Sequence, residues 1–276
     1  MPQAFAAARR AAILLALALA GAGTLASPAA AAEAYPWSAI GRLDEGRSGF
    51  CSGVLIGRRV VLTAAHCLFD RFAHRWRPAW ELGFTPGLGT PARGPHARAS
   101  DYHVAPGYDP RLSPTVGAAG TDLALVLLVE PVGDVVGFVP WLPSSSLAAT
   151  LGGPAGAELF EAGYARGNPM RLTLHRHCRT IEYQAAYGFF LHNCISLRGE
   201  SGAPLLALIG GRYDIVGIEV GLDRSYNGTG PRLGTAATVA SLERMLADPS
   251  ESFAPITDQQ VWGDPRKRDP GAPPPR

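Results

Sequence analysis

Apolar positions along this chain fall in short runs rather than in long helical stripes. Val60-Val61-Leu62, Leu123 to Val129 and Leu205 to Ile209 are each strand-sized, and Gly and Pro punctuate the chain between such segments. That pattern predicts many short β-strands. Only Val239 to Ala247 reads persuasively as a helix. The chain opens differently, with Arg9-Arg10, an apolar run from Ala11 to Ala26 and the small residues Pro28-Ala29-Ala30-Ala31-Ala32. This order is that of a secretory signal peptide over residues 1–32, cleaved after Ala32 or Ala34. Gly21 and Gly23 interrupt the apolar run, which falls short of the roughly 20 residues a membrane span needs. After Asp264 the chain is Pro-rich and basic, with no apolar pattern to join a core, so residues 249–276 are expected to be a disordered tail.

About 240 residues remain between those ends, enough for one large domain or two of roughly 100 to 120 residues. The content of 33 Gly and 24 Pro favours strands and turns over helices, which predicts an all-β fold. A net charge of +2 is too small to imply a nucleic-acid or membrane-surface partner, and neither is expected. Lys267 is the only lysine among 25 basic residues, a skew that points to a GC-rich bacterial genome.

Three segments carry the chemistry: Thr63-Ala64-Ala65-His66-Cys67, Thr121-Asp122-Leu123-Ala124-Leu125, and Gly199-Glu200-Ser201-Gly202-Ala203-Pro204. Singly, each has a bland reading as a packed core histidine, a cap and a turn. Jointly they supply what acyl transfer needs. A serine hydroxyl is a poor nucleophile until an imidazole takes its proton, and a carboxylate must hold that imidazole in the right tautomer. The chain order His66, Asp122, Ser201 is that of chymotrypsin-like barrels, whereas hydrolases with a nucleophile elbow run Ser, Asp, His. The elbow is also excluded locally, because Ala203 stands where G-x-S-x-G requires glycine.

The chain resembles the trypsin-like serine peptidases well beyond these residues. Ser52 to Ile56 and Val60 to Cys67 resemble the two strands leading into the catalytic histidine. Pro106-Gly107-Tyr108, Asp122 to Leu125 and Pro131-Val132 resemble the stretch around the aspartate. Ala162-Gly163-Tyr164 and Ile215 to Ile218 resemble strands of the second barrel. The resemblance implies two six-stranded Greek-key β-barrels with a cleft between them and a short C-terminal helix. One barrel is expected over 33–140 with His66 and Asp122, the other over 141–248 with Ser201. It further implies an oxyanion hole from the N–H groups of Gly199 and Ser201, and a secreted or periplasmic endopeptidase acting on protein or peptide. A monomer needing no cofactor or metal is expected. A non-catalytic binding protein on this scaffold, or an esterase for small acyl esters, is the alternative.

Sequence neighbours propose the disulfides Cys51–Cys67 and Cys178–Cys194 out of three possible pairings. The spacing of the second pair from Ser201 resembles the bacterial glutamyl-endopeptidase-like branch. His175, His177, Cys178, His192 and Cys194 are the competing set, as ligands of a structural zinc, which export to an oxidising compartment disfavours.

Glu200 departs from the family pattern. Trypsins have Asp there, paired with an amino terminus freed by cleavage; Tyr35-Pro36-Trp37 resembles the family's strand start, and a terminus upstream of it would fall inside the signal peptide. Signal removal is therefore expected to suffice for activation, and Glu200 needs another partner, an arginine or backbone amides. For specificity, the alignment puts Ile195 at the pocket floor and Glu219 on the pocket wall, facing the cleft, where a carboxylate would favour Arg or Lys.

Overall fold

Val60-Val61-Leu62-Thr63 is apolar on both faces, as a strand must be when it is covered on both sides. All four residues are buried, between one strand to each side. The computed structural model describes residues 35–46, 49–112, 116–153, 157–223 and 233–247. The signal-peptide and tail readings, over 1–32 and 249–276, lie outside the described residues.

The first barrel is built from β1 (Ile40–Glu45), β2 (Phe50–Leu55), β3 (Val60–Thr63), β6 (Leu82–Pro86), β7 (Ala97–Val104) and β8 (Ala124–Leu128), with a separate ribbon of β4 (Phe69–Asp70) and β5 (Arg75–Trp76). Its closed order is β1-β2-β3-β8-β7-β6, the jump from β3 to β8 making the Greek-key crossing. The second barrel closes in the order β10-β11-β14-β13-β12-β9. Its strands are β9 (Glu158–Gly163), β10 (Thr173–Gln184), β11 (Phe189–His192), β12 (Pro204–Ile209), β13 (Arg212–Asp223) and β14 (Leu233–Thr238). Closure removes the unpaired edges that an open sheet would expose. The pairings between these barrel strands are antiparallel, so the fold is all-β, as the residue pattern implies, and two-barrelled, as the family resemblance implies.

The expected C-terminal helix forms over Ala240–Ala247. A second helix, Ser144–Leu151, stands between the barrels. Its signal was present but faint: Leu147 and Leu151, four residues apart, are the pair it buries, behind Pro143 at its start.

Both expected disulfides are present, Cys51–Cys67 and Cys178–Cys194. The first ties β2 to the turn that carries His66, closing a loop with a sequence separation of 16, which stabilises by about 3 kcal/mol in the chain-entropy model. Arg77 supports the loop after that turn. Its guanidinium is buried against Glu45 and Asp70, and its backbone N–H donates to Leu68 O at 2.9 Å.

Candidate active site

Antiparallel pairing brings His66 and Asp122 together. Thr63 on β3 sits opposite Ala124 on β8, so the chain leaving β3 and the chain entering β8 are neighbours. His66 follows in the short turn Ala65–Leu68, and Asp122 immediately precedes β8. Both carboxylate oxygens are engaged: Oδ1 accepts the His66 backbone N–H at 2.8 Å, and Oδ2 accepts Nδ1–H at 2.8 Å. Using Nδ1 as donor leaves Nε2 as the ring's free lone pair. Burial opposes the charged imidazolium, but the charge and hydrogen bond of Asp122 outweigh it, and the His66 pKa is raised above its ordinary value.

Ser201 lies just before β12, in a loop held by Ser52 of β2. The Ser52 backbone N–H donates to Ser201 O at 2.7 Å, and Ser52 Oγ donates to Gly199 O at 3.1 Å. That hydroxyl oxygen accepts the Tyr164 N–H from the second barrel at 2.8 Å, while Ser52 O accepts Thr63 Oγ1–H at 2.8 Å. One buried serine thus joins both barrels to the loop. A Cβ at Gly202 would meet Ser52 O at 2.2 Å and Thr63 Oγ1 at 2.3 Å, so this loop packs directly against the segment delivering His66. Gly199 has φ +100°, and a Cβ there would lie 2.7 Å from Tyr164 O. Only glycine fits both constraints. Among the described residues, the N–H groups of Gly199 and Ser201 have no intramolecular acceptor, which leaves them available to an incoming oxygen anion.

Glu200, between those two amides, is fully buried. One of its partners is of an expected kind, a backbone amide, and the other is a histidine in place of an arginine. His175 Nε2 lies 3.1 and 3.2 Å from its two oxygens, and the Leu197 N–H donates to Oε2 at 2.7 Å.

The two residues that alignment assigns to the specificity pocket differ sharply in exposure. Cys194 is anchored inward by its disulfide, and the extended segment after it alternates, so Ser196 points inward while Ile195 points out. Ile195 is 73% exposed. Glu219 is 3% exposed rather than cleft-facing. The alternation argument fails because β13 is buried on both faces here, with Ile218 and Val220 buried as well. A register shift between Glu219 and Gly221 also turns the chain so that Gly221 N–H donates to Glu219 Oε1 at 2.9 Å.

Glu219 belongs to a buried cluster with Glu161 and Ser196, which the sequence did not mark, and His192, which it marked only as a zinc ligand. Ser196 Oγ lies 2.8 Å from Glu161 Oε2 and 2.9 Å from Glu219 Oε2, and His192 Nε2 lies 2.8 Å from Glu219 Oε2. One hydroxyl proton serves one carboxylate, so bonding both requires the other carboxyl to carry a proton and donate. Burial, and for Glu161 the charge of Glu219 beside it, raise both groups to about 8, while burial lowers His192 to about 4. A carboxyl that holds its proton when folded and loses it when unfolded makes stability fall as pH rises from 4.5 towards about 8. Glu161→Gln, whose amide N–H replaces that proton at every pH, is therefore expected to stabilise the fold on the order of 2 kcal/mol at about pH 9 and little at about pH 5. Urea unfolding at the two pH values measures this, and an equal change at both contradicts it.

The zinc ligands do not assemble. Cys178 and Cys194 are disulfide-bonded, His175 turns to Glu200, and His177 faces outward to Glu158 at 2.5 Å. Among the described residues, the two His, Cys and carboxylate groupings close enough for an ion each include a disulfide sulfur, which is no thiolate ligand.

Residues 26–243 match the trypsin family, and the chain belongs to it. A glutamyl endopeptidase of Bacillus licheniformis is 25% identical over 213 residues, covering 74% of this chain and 61% of that protein. A cercarial protease of Schistosoma mansoni is 32% identical over 124 residues, 42% of this chain and 44% of that protein. The chain therefore spans less than two thirds of the length of these curated relatives. A solved Glu endopeptidase in complex with MPD shares the fold, with a TM-score of 0.57 at 20% identity over 76% of this chain and 89% of that one.

Proposed function

We propose that this chain is an exported serine endopeptidase in which His66, Asp122 and Ser201 form the catalytic triad. The observation that carries the reading is the His66–Asp122 pair, with both carboxylate oxygens committed and the serine loop packed against the turn that holds the ring. Ser201 Oγ attacks the scissile carbonyl carbon as His66 Nε2 takes its proton. The resulting oxyanion is received by the N–H groups of Gly199 and Ser201. His66 then protonates the leaving amine, and the acyl group stays on Ser201. Water attacks that ester with its proton passing to His66, and the acid product leaves as the proton returns to Ser201. Asp122 holds the Nδ1–H tautomer and stabilises the imidazolium formed in each half. The relatives' names support peptide bonds as the substrate, and the two disulfides with the signal-like N-terminus support export.

Hydrolysis of a denatured protein substrate across pH tests this. Activity requires neutral His66, whose pKa is raised, so the rate is expected to climb as pH rises above 6.5 and to fall away below it. No cleavage by the protein at any pH would overturn the reading in favour of a binding protein on the same scaffold.

A further inference from the structure

The loop that presents the two oxyanion amides is built around a buried negative charge. Glu200 is fully buried, and besides the Leu197 amide its described partner is the His175 ring. Strand β10 is shaped to deliver that ring. A register shift between His175 and Cys178, where His177 has φ 60°, adds a residue to the strand. Two residues three apart, which strict alternation would put on opposite faces, thereby both point inward, His175 to Glu200 and Cys178 to its disulfide.

We propose that His175, as the imidazolium, is the positioning residue that holds Gly199 and Ser201 in their anion-binding arrangement by supplying the cation for Glu200. This rests on the reading of Ser201 as nucleophile. A buried carboxylate that loses its counter-charge is strongly unfavourable, and the loop relieves it by turning Glu200 towards water. Turning Glu200 moves the amide on either side of it. The acidic groups acting on His175 are Glu200 on the loop, Glu161 on β9 and Glu219 on β13, each of which favours its charge when ionised. His192 on β11 is neutral, and on β10 itself His177 faces outward to Glu158. The hydrogen bond to Glu200 raises the His175 pKa against the effect of burial. The ordering cation in this chain thus comes from within strand β10, and its presence is set by pH. Loop order is present while His175 is charged and is lost as pH rises through its raised pKa.

The test follows, from about pH 5 to 10, the rate at which a fluorophosphonate labels Ser201 together with backbone hydrogen exchange of Leu197 to Gly202. In the wild type, labelling should rise, pass a maximum and fall at alkaline pH, with loop exchange accelerating over the same range beyond the ordinary pH dependence of amide exchange. His175→Gln should label about 100-fold more slowly at the maximum, the size expected for losing one oxyanion donor, and should lack the alkaline fall. His175→Lys, which stays charged beyond the alkaline limb, should keep labelling there, a rescue that a merely structural histidine would not give. In Glu200→Gln, the His175 ring should titrate in proton NMR near the ordinary 6.5. Should His175→Gln not fold, His175→Lys and Glu200→Gln still decide the matter. An unchanged alkaline limb and unchanged loop exchange in the variants overturn the proposal. Failure of the wild type to label at any pH overturns the nucleophile reading instead, and the exchange data then still test His175.

Discussion

Ser201→Ala, His66→Ala and Asp122→Asn are each expected to lower the turnover rate by about 10⁴-fold or more, with the double variant Ser201→Ala/His66→Ala scarcely worse than either parent. The three groups act as a unit. Without the Ser201 hydroxyl there is no acyl-enzyme, without His66 nothing takes the proton, and Asn at 122 would present an amide N–H that favours the wrong ring tautomer. The Asp122 geometry makes that third effect specific, because one carboxylate oxygen holds the His66 backbone and the other its Nδ1. Asn still has one oxygen for the backbone N–H, so folding should be little altered while turnover collapses. Steady-state kinetics beside thermal unfolding of each variant separates the two. Wild-type turnover in any of the three removes that residue from the mechanism.

Gly199→Ala is expected to lower turnover by about 100- to 1,000-fold with a smaller change in KM. Its φ of +100° is one that side chains oppose, and the added methyl would lie 2.7 Å from Tyr164 O. Backbone strain of about 1 to 3 kcal/mol is relieved most readily by rotating the peptide, which takes the Gly199 N–H away from the developing oxyanion. That amide matters more in the transition state than in the ground state, so the loss falls on turnover. A KM rise with unchanged turnover would mean that Gly199 serves substrate binding and not the oxyanion.

What was legible in the chain was whatever the backbone pattern itself encodes. Val60 to Thr63 and Leu205 to Ile209 read as strands because apolar runs of that length between turn residues have few other solutions. The proposed triad of His66, Asp122 and Ser201 is read from order and flanks, and the positive φ of Gly199 from the conformation an oxyanion loop would demand. The disulfides followed from neighbouring sequence. Illegible was everything set by which way a buried polar side chain turns. Ile195 was given a pocket floor by counting back from Ser201, but the fixed Cys194 imposes an alternation that puts Ser196 inside instead. Glu219 was read by alternation on a strand that is buried on both faces. Glu161 gave no sign in sequence and His192 was read only as a zinc ligand, since an acidic residue and a histidine within apolar strands show no partner until the barrel closes over them. The His175–Glu200 pair was hidden for a related reason. The bulge that turns His175 inward breaks the strand parity a sequence reading would use.

A Ser201 nucleophile activated by His66 is open to covalent capture. The protein is treated with a fluorophosphonate at about pH 8, digested and mapped by mass spectrometry. One phosphonyl adduct per chain is expected, on Ser201, absent in Ser201→Ala and reduced by orders of magnitude in His66→Ala. An adduct on a different residue, or labelling of Ser201 at the same rate without His66, would contradict it.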